Sequence, residues 1–296
     1  MKIIMYHNVK NFDPKLPYQN FLSIKKFKKQ LKFFKDKYGL ISNKEEIFEK
    51  NKKVLLTFDD GLKHHYEIAK ILKKKKILGI FFICTKPLID KIVLPVHKTH
   101  IILSSVKSSV ALSYLNKMIL INRIVLNNKF KIKFKNAYSH QNDEVSKKIF
   151  KKIINYLINN KDKSILLDSI INKFKLKNKL ARYYLNSKEI KKMHNMGMII
   201  GSHGLSHNLL SKMKKNEQEK EIKQSKKLLE NIIKDDVTYF CYPYGGARSY
   251  NKHTLNLLKK NKYSLSFDVN PKDVNFQLIN KNSFKIPRYD CNFFKL

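Results

Sequence analysis

The sequence predicts an α/β protein with a parallel sheet, because short apolar segments of strand character alternate with segments of helical periodicity. The predicted strands share a short apolar run, and they cover residues 2–6, 53–58, 77–84, 197–201, 237–242, 263–268 and 283–288. The predicted helices share apolar residues three or four positions apart, and they cover residues 21–37, 187–196, 216–233 and 250–260, with a further helical segment that ends near residue 76. A chain of 296 residues, 43% of them hydrophobic, is long enough for one α/β barrel.

Residues at about 90–186 interrupt this alternation. The segment is rich in Lys, Asn, Ile and Leu, has helical periodicity and contains no β-rich run. It predicts a largely helical insertion within a single domain that spans residues 1–296.

The formal net charge of +39 raises the question of an anionic partner. Only four of the 62 basic residues are arginine, although base and phosphate recognition favours the planar arginine fork. The lysines are also spread along the whole chain, so we disfavour a nucleic-acid partner. A solvated lysine surface is the favoured interpretation, and an anionic glycan, a lipid-linked substrate or a membrane face is the alternative.

The cysteines and the apolar runs predict a cytoplasmic location, with peripheral membrane association as an alternative. Cys84, Cys241 and Cys291 are odd in number and widely spaced, so they predict neither a disulfide framework nor a Cys-x-x-Cys zinc site. The apolar run at the N-terminus is too short for a signal peptide, and no window has eighteen uninterrupted apolar residues.

Two adjacent carboxylates, Asp59 and Asp60, follow the predicted strand 53–58. Adjacent residues that leave a strand point to different sides, so one carboxylate can bind a cation while the other faces a substrate. In α/β barrels the carboxyl ends of the strands carry the chemistry. An ordinary Asp-Asp-Gly turn is the alternative, and the pair alone does not exclude it.

Two histidines four residues apart, His203 and His207, follow another predicted strand. Such a pair alone is a weak signal, but an aspartate as third ligand makes it a His₂-carboxylate metal site with open positions. A Tyr-Pro-Tyr-Gly turn at 242–245 follows a third strand and can aim a backbone N–H group at a ligand. Three such signals at three strand ends are stronger together than any one alone.

The motifs TFDDG at 57–61, SHGLSH at 202–207 and YPYGG at 242–246 resemble the first three motifs of the polysaccharide deacetylase (NodB-homology) family, carbohydrate esterase family 4. The resemblance covers residues 1–88 and 187–290. It implies a distorted, incomplete (β/α) barrel that removes N-acetyl groups from amino sugars with a divalent metal, expected to be zinc, with cobalt, nickel or manganese as alternatives.

The resemblance also implies a role for each matching residue. Asp59 matches the catalytic base, and Asp60, His203 and His207 match the metal ligands. Tyr244 matches the residue whose backbone N–H group helps to bind the oxyanion.

The sequence departs from the family's pattern in two supporting residues. Gly204 stands where many members have Ser or Thr, so a hydrogen bond that supports this loop is expected to be missing. Cys241 stands where many members have the arginine that holds the catalytic aspartate, and we interpret Cys241 as a small buried residue rather than a nucleophile. Arg288, at the end of the last predicted strand, is our candidate to pair with Asp59 instead, and a surface arginine is the alternative.

The family's late Leu-x-His motif, which supplies the general acid, is also missing, because no histidine follows His253. His7, at the end of the first predicted strand, is our candidate acid, because histidine can hold and release a proton near neutrality. A histidine that hydrogen-bonds its own loop is the alternative.

Together these features predict a metal-dependent carbohydrate N-deacetylase. The alternative from another class is a catalytically weak barrel that binds an anionic polymer or a glycan through its lysines, and a deacetylase acting on a non-sugar amide is also open. His64 and His65 are expected to be structural. His97 and His100 could form a second metal site, but no carboxylate or cysteine accompanies them, so a helix-surface position is favoured.

Overall fold

The computed structural model describes residues 1–50, 52–139, 143–281 and 283–294. Within these ranges, seven strands form one sheet in the order β6-β5-β4-β3-β2-β1-β7, and every pair of neighbours is parallel. The strands are Lys2–Tyr6 (β1), Val54–Phe58 (β2), Gly79–Ile83 (β3), Ile199–Ser202 (β4), Tyr239–Cys241 (β5), Leu265–Phe267 (β6) and Tyr289–Asp290 (β7).

The helices between these strands follow the predicted alternation. Those of the barrel are Ile24–Tyr38 (α1), His65–Lys74 (α2), Lys86–Asp90 (α3), Ser187–Asn195 (α9), Lys215–Ile233 (α10), Lys252–Lys260 (α11) and Phe276–Lys281 (α12). The intervening helices α4 to α8 are Pro95–Ser105, Ser108–Ile121, Asn128–Lys133, Val145–Lys152 and Asn160–Lys173. Short 3₁₀ helices and one π-helical stretch cover Glu45–Ile47, Ile153–Leu157, Lys177–Leu180, Leu210–Lys212 and Cys291–Phe293.

The two faces of the sheet are both apolar, as expected for parallel strands that are covered on both sides. Along β2, Leu55 belongs to an inner cluster made of strand and loop residues, whereas Leu56 and Phe58 pack with the helices. Because successive side chains alternate between faces, Thr57 and Asp59 continue the inner row of Leu55. This alternation directs Asp59 toward the inside of the barrel.

The last predicted strand is displaced in the structure. Residues 283–288 are not a strand. Ile286 forms a single parallel bridge to Phe267, and the strand β7 begins only at Tyr289. Pro287 separates the two because it has no backbone N–H group to donate to a ladder. The prediction of a strand over 283–288 was therefore wrong, and Arg288 precedes β7 rather than ending a strand.

This divided segment nevertheless links the two ends of the open sheet. The backbone N–H of Asp268 donates to Ile286 at 2.8 Å on the β6 side, while β7 pairs with β1. The architecture is thus the predicted distorted, incomplete (β/α) barrel with helices around it.

Residues 12–20 and 93–183 form a compact unit of their own, and the remaining residues form the barrel unit. The described part of the smaller unit contains α4 to α8 and no strand, so this segment is largely helical, as predicted. That the whole chain acts as one catalytic domain stays a prediction. None of the helices in the described part of the chain combines the length and the apolar character needed to cross a membrane.

Candidate metal and catalytic site

The candidate site lies at the carboxyl ends of the strands. Because the strands are parallel, the residues that follow β1, β2, β4 and β5 reach the same rim of the barrel. These residues are His7 after β1, Asp59 and Asp60 after β2, His203 and His207 after β4, and Tyr244 after β5. Asp60, His207 and Tyr244 have φ values of 84°, 55° and 68°. Left-handed backbone at residues other than glycine costs on the order of 1–3 kcal/mol each, and it is often stored where function requires a particular geometry.

The candidate metal centre consists of Asp60, His203 and His207, whose ligand atoms all lie within 4.8 Å of one another. The Oδ1 atom of Asp60 is 3.5 Å from Nε2 of His203 and 3.4 Å from Nε2 of His207. These separations are longer than a good N–H···O hydrogen bond. Metal bonds of roughly 2.0–2.2 Å at a tetrahedral angle place donor atoms about 3.3–3.6 Å apart, so the three side chains fit a divalent ion.

The tautomer of His203 supports the same interpretation. Its Nδ1 donates to the backbone oxygen of Cys241 at 2.8 Å, which leaves Nε2 as a lone pair directed toward Asp60. This buried Nε2 has no hydrogen-bond partner among the described residues. A lone pair facing a carboxylate is unfavourable unless a cation lies between them, and a backbone carbonyl on the far nitrogen is the usual outer contact of a metal-bound histidine.

The charges around His203 also favour a cation. Burial lowers the pKa of its imidazole, but Cys241, Asp60 and Asp59 together raise that pKa well above its usual value. A position that favours a proton so strongly also favours a divalent ion, because both respond to the same negative field. The fit of the residues to a metal therefore rests on donor type, spacing and electrostatics together.

Asp59 is held by Arg288, the pair suggested by the sequence. Nη1 and Nη2 of Arg288 donate to the two carboxylate oxygens of Asp59, each at 2.8 Å, and Arg288 is completely buried. The remaining guanidinium N–H groups also have acceptors: Nη1 reaches Thr57 Oγ1, Nη2 reaches Cys241 Sγ and Nε reaches the backbone oxygen of Asp268. All five N–H donors of this arginine are thus satisfied.

This pair sets the ionisation of Asp59. Burial alone would raise the pKa of the Asp59 carboxyl, but the charge and hydrogen bonds of Arg288 outweigh it and lower the pKa to about 2. Cys241 completes the arrangement, since its Sγ is 3.4 Å from Asp59 Oδ2 and burial raises the pKa of its thiol. The cysteine therefore stays a protonated donor to Asp59, which a small apolar residue could not be.

A second grouping of donor atoms, Asp59, His203 and Cys241, also lies within 4.8 Å. It is the poorer candidate for a metal, because Asp59 and Cys241 both contact the guanidinium of Arg288. A divalent ion there would lie against a buried positive charge.

His7 also reaches this rim, with its Nε2 4.0 Å from Asp59 Oδ2 and its side chain 36% exposed. The backbone oxygen of His7 accepts from Nε2 of His64 at 3.1 Å and from Nε2 of His65 at 2.8 Å. Burial lowers the pKa of His64 to about 3 and that of His65 to about 4, so both rings stay neutral near pH 7. The structure gives these two histidines the structural role that the sequence predicted, and it adds that they fix the peptide of His7.

The loop that carries His203 and His207 has a support that the sequence alone did not indicate. Glu221 of α10 is buried, and its carboxylate accepts from the backbone N–H of Leu205 at 2.7 Å, from that of Ser206 at 3.0 Å and from the Ser206 hydroxyl. A Cβ atom at Gly204 would lie 3.0 Å from Glu221 Oε2. The expected loss of loop support at Gly204 is therefore compensated from α10. The apolar periodicity of α10 predicts which of its apolar residues are buried. It does not predict that a glutamate on this helix is buried and contacts the loop.

Tyr244 lies beside the metal centre, with its ring centroid 4.9 Å from that of His207 in an edge-on contact. The turn that carries it is fixed by a hydrogen bond from Gly245 N to Tyr242 O at 3.0 Å. Asp268 supports the far side of the turn by accepting from the Gly246 backbone N–H and from the Tyr250 hydroxyl.

Comparisons with known proteins agree with this fold. A family model described as "Polysaccharide deacetylase" matches residues 136–266. That range is less than half of the chain, and over it the chain is similar to this family. The matched range includes the motifs at 202–207 and 242–246. It also begins inside the helical segment, which the motifs had left outside the resemblance.

A curated relative, a protein of Bacillus subtilis (strain 168) provisionally named polysaccharide deacetylase YxkH, is 30% identical to this chain over 90 residues. That match covers 30% of this chain and 31% of YxkH, so it spans less than a third of either protein.

Solved structures of deacetylases share the fold of this chain. The Streptococcus pyogenes deacetylase PplD, in complex with acetate, has a TM-score of 0.60 at 18% identity, over 98% of this chain and 91% of that chain. BC0361, a polysaccharide deacetylase from Bacillus cereus, has a TM-score of 0.58 at 17% identity, over 98% of this chain and 64% of that chain. IcaB from Ammonifex degensii has a TM-score of 0.54 at 16% identity, over 97% and 90%.

Proposed function

We propose that this chain is a metal-dependent carbohydrate N-deacetylase that removes N-acetyl groups from the amino sugars of a surface glycan or of its biosynthetic intermediate. One observation carries the proposal. Asp60 lies at tetrahedral metal-ligand separations from His203 and His207, and the three donors lie beside an ionised carboxylate that a buried arginine holds in place. A fold that only binds glycans requires neither the donor set nor the separately held base.

In this proposal Asp60, His203 and His207 hold the metal, for which zinc is the first expectation and cobalt, nickel or manganese are alternatives. A divalent ion held there would polarise the acetyl carbonyl and lower the pKa of a water molecule.

Asp59 acts as the general base and removes a proton from the attacking water. Its two oxygens accept from Arg288, but a carboxylate offers about four acceptor positions, so lone pairs are left for the proton. Arg288 is a positioning residue, because it fixes both oxygens of Asp59 in one plane. The depressed pKa of Asp59 ensures that the base is ionised throughout the neutral range.

His7 and Tyr244 complete the proposed reaction. Attack of the water oxygen on the acetyl carbon gives a tetrahedral oxyanion, and the backbone N–H of Tyr244 helps to bind it. When the carbon–nitrogen bond breaks, His7 gives a proton to the departing amine, and acetate is the second product. His7 is suited to this step because its partly exposed side chain lies 4.0 Å from the base.

The proposed substrate is an N-acetylated amino sugar, and an anionic or lipid-linked glycan would suit the net charge of +39. A cytoplasmic or membrane-peripheral location stays a prediction, and such a location would favour a biosynthetic intermediate over a finished polymer. The charge also favours a second candidate function, in which a catalytically weak barrel binds an anionic polymer or a glycan through its lysines.

The test is acetate release from a panel of N-acetylated sugars, including free oligosaccharides and nucleotide-linked and lipid-linked forms, with each divalent ion added in turn. We expect release with at least one sugar and one ion, and its loss on chelation. The variant Asp59→Asn is the matched control, because it should keep the metal and lose the activity. Glycan binding without acetate release from any member of the panel would favour the lysine-mediated binding function instead.

A further inference from the structure

The helical unit contains a long segment of chain without acidic residues. From residue 91 to residue 142 the sequence has no Asp or Glu, whereas it has nine basic residues: Lys91, Lys98, Lys107, Lys117, Arg123, Lys129, Lys131, Lys133 and Lys135. Any acidic partner of these cations must therefore come from another part of the chain, as Asp168 does for Lys98.

The same segment exposes large aliphatic side chains. Leu120 is 77% exposed, Ile121 61%, Val125 87% and Ile132 79%. We call residues 117–135 the basic apolar segment. Single exposed apolar residues are common on soluble proteins, but a group of them next to one another usually marks an interaction site.

Packing explains why these side chains face outward. The buried residues of α5 lie within its first eight positions, where Ser108, Ala111 and Leu115 pack into the helical unit. By contrast, α8 buries four aliphatic residues along its length, which are Leu166, Leu167, Ile170 and Ile171. The C-terminal half of α5 therefore keeps an aliphatic composition without the core that would cover it.

Hydrogen bonds hold the exposed residues on one short reversal of the chain. At the end of α5, Arg123 N donates to Leu120 O at 3.1 Å and Ile124 N donates to Ile119 O at 3.0 Å, with Arg123 at a φ of 49°. These contacts close the helix, and α6 begins only a few residues later at Asn128. Leu120, Val125 and Ile132 thus belong to one short stretch of chain, in which the side chains of Arg123, Lys131 and Lys133 are also exposed.

We propose that the basic apolar segment is a docking surface for an anionic lipid bilayer. Aliphatic side chains with interspersed cations are the combination that binds in the interface of such a membrane, because the apolar groups enter the acyl boundary while the cations meet the headgroups. A second copy of this chain is disfavoured as the occupant, because two identical surfaces with cations and no carboxylate repel each other. A nucleic acid would meet the cations but offers no apolar partner for Leu120 and Val125.

The proposal is tested with the full chain and two kinds of vesicles, one of phosphatidylcholine alone and one with phosphatidylglycerol added. We expect sedimentation with the anionic vesicles only. The apolar variant Leu120→Ser/Val125→Ser/Ile132→Ser should bind them at least roughly tenfold more weakly, because the apolar area that enters the membrane is lost. The basic variant Arg123→Gln/Lys131→Gln/Lys133→Gln should lose roughly 100-fold at low salt, since each cation near such a surface contributes roughly fivefold.

Matched controls separate this surface from the general positive charge. The variant Lys25→Gln/Lys28→Gln/Lys29→Gln removes three exposed lysines of α1, and Ile89→Ser/Ile165→Ser removes exposed aliphatic residues elsewhere. The affinity of both control variants for anionic vesicles should stay within about a factor of three of that of the unchanged chain, because salt screens the attraction of lysines that lie far from the membrane. An equal loss in these controls would overturn the proposal, because binding would then follow the net charge. Two further outcomes would overturn the proposal. In one, the chain binds no vesicles but self-associates, and the apolar variant abolishes that self-association. In the other, the chain binds heparin and no vesicles.

Discussion

Two regions of this protein carry a pair of histidines about one helical turn apart, and only one pair resembles a metal site. In the barrel unit, His203 and His207 approach Asp60 to 3.5 and 3.4 Å. In the helical unit, His97 and His100 lie on α4 with their ring centroids 5.6 Å apart, and the ring of Tyr183 is the aromatic neighbour of His97. Among the described residues, neither histidine of α4 belongs to a grouping of three metal-ligand side chains.

The difference shows that spacing along the chain does not by itself create a metal site. The barrel pair follows a strand whose neighbours also end in polar residues, so a carboxylate from β2 meets it at the shared rim. The α4 pair lies within a continuous helix, in a segment where the sequence offers no acid from residue 91 to residue 142. The presence of a third donor is therefore a property of topology, and each prediction below compares a rim residue with a matched residue of the helical unit.

The largest expected effect is the loss of the metal. We expect His203→Ala to lower metal affinity by more than roughly 100-fold, because changes to outer contacts of a ligand already cost 10–100-fold. Acetate release should fall to the background rate, and metal content after gel filtration should fall with it. His100→Ala should leave acetate release and metal content within about a factor of three of their values in the unchanged chain, because substitutions away from a site usually have small effects. Equal metal loss in the two variants would place the ion, or a second ion, in the helical unit.

The next effect concerns proton donation by His7. We expect His7→Gln to keep its metal and to lose roughly 10²–10⁴ in kcat, the usual contribution of a general acid. Because the step protonates an amine leaving group, the loss should shrink for a substrate analogue with a better leaving group. His100→Gln serves as the matched control and should retain the full kcat. An unchanged pH–rate profile in His7→Gln, with kcat within about a factor of three, would show that another group is the acid.

The sequence predicted the first six strands, and the residues proposed for the site follow four of them, because these features depend on local signals. Alternating apolar runs locate β1 to β6, and the motifs lie where those runs end. Two features depended on tertiary contacts instead. Pro287 shifted the last strand to Tyr289–Asp290. Glu221 contacts the 203–207 loop, and no periodic pattern in the sequence predicts a contact between residues so far apart along the chain.

The third-largest effect is expected at Arg288, which we compare with Arg182 of the helical unit. Breaking a buried ion pair by removing one partner can cost about 3–5 kcal/mol of stability, so Arg288→Lys is the gentler change. Lysine cannot make the two parallel hydrogen bonds to Asp59, so we expect kcat to fall roughly 10–100-fold with the metal retained. Arg182→Lys, at an exposed arginine of the helical unit, should have no effect.

The pH dependence distinguishes a positioning role for Arg288 from a general loss of stability. In the unchanged protein Asp59 has a pKa of about 2, so the base stays ionised as the pH falls well below neutrality. When the guanidinium is removed in Arg288→Met, burial dominates and the pKa of Asp59 rises above its usual value. The acid limb of the rate profile should therefore move to higher pH. Partial recovery in Cys241→Arg/Arg288→Met would support the role, and an acid limb that does not move would contradict it.

The smallest expected effect tests the carboxylate behind the metal loop. Glu221 accepts two backbone N–H groups and one hydroxyl from Leu205 and Ser206, which lie between the two histidine ligands. In Glu221→Gln one oxygen becomes an NH₂ group, which can only donate, so either a backbone N–H group loses its acceptor or the Ser206 hydroxyl must turn to accept, and the negative charge is lost in both cases. We expect metal affinity to fall roughly tenfold, at the low end for outer contacts, with kcat at saturating metal nearly unchanged.

This separation of metal affinity from kcat is what distinguishes Glu221 from the residues that touch the reacting groups. Glu144 of the helical unit provides the comparison, because its carboxylate also accepts from a serine, Ser108, but faces no metal loop. Glu144→Gln should therefore leave metal affinity as it is, even if it lowers the thermal midpoint by as much as Glu221→Gln does. If isothermal titration found equal affinities for the two variants, Glu221 would not be what holds the 203–207 loop. Other bonds would then suffice, such as those from Gly204 N to Ser202 Oγ at 3.1 Å and from Lys86 N to Leu205 O at 2.9 Å.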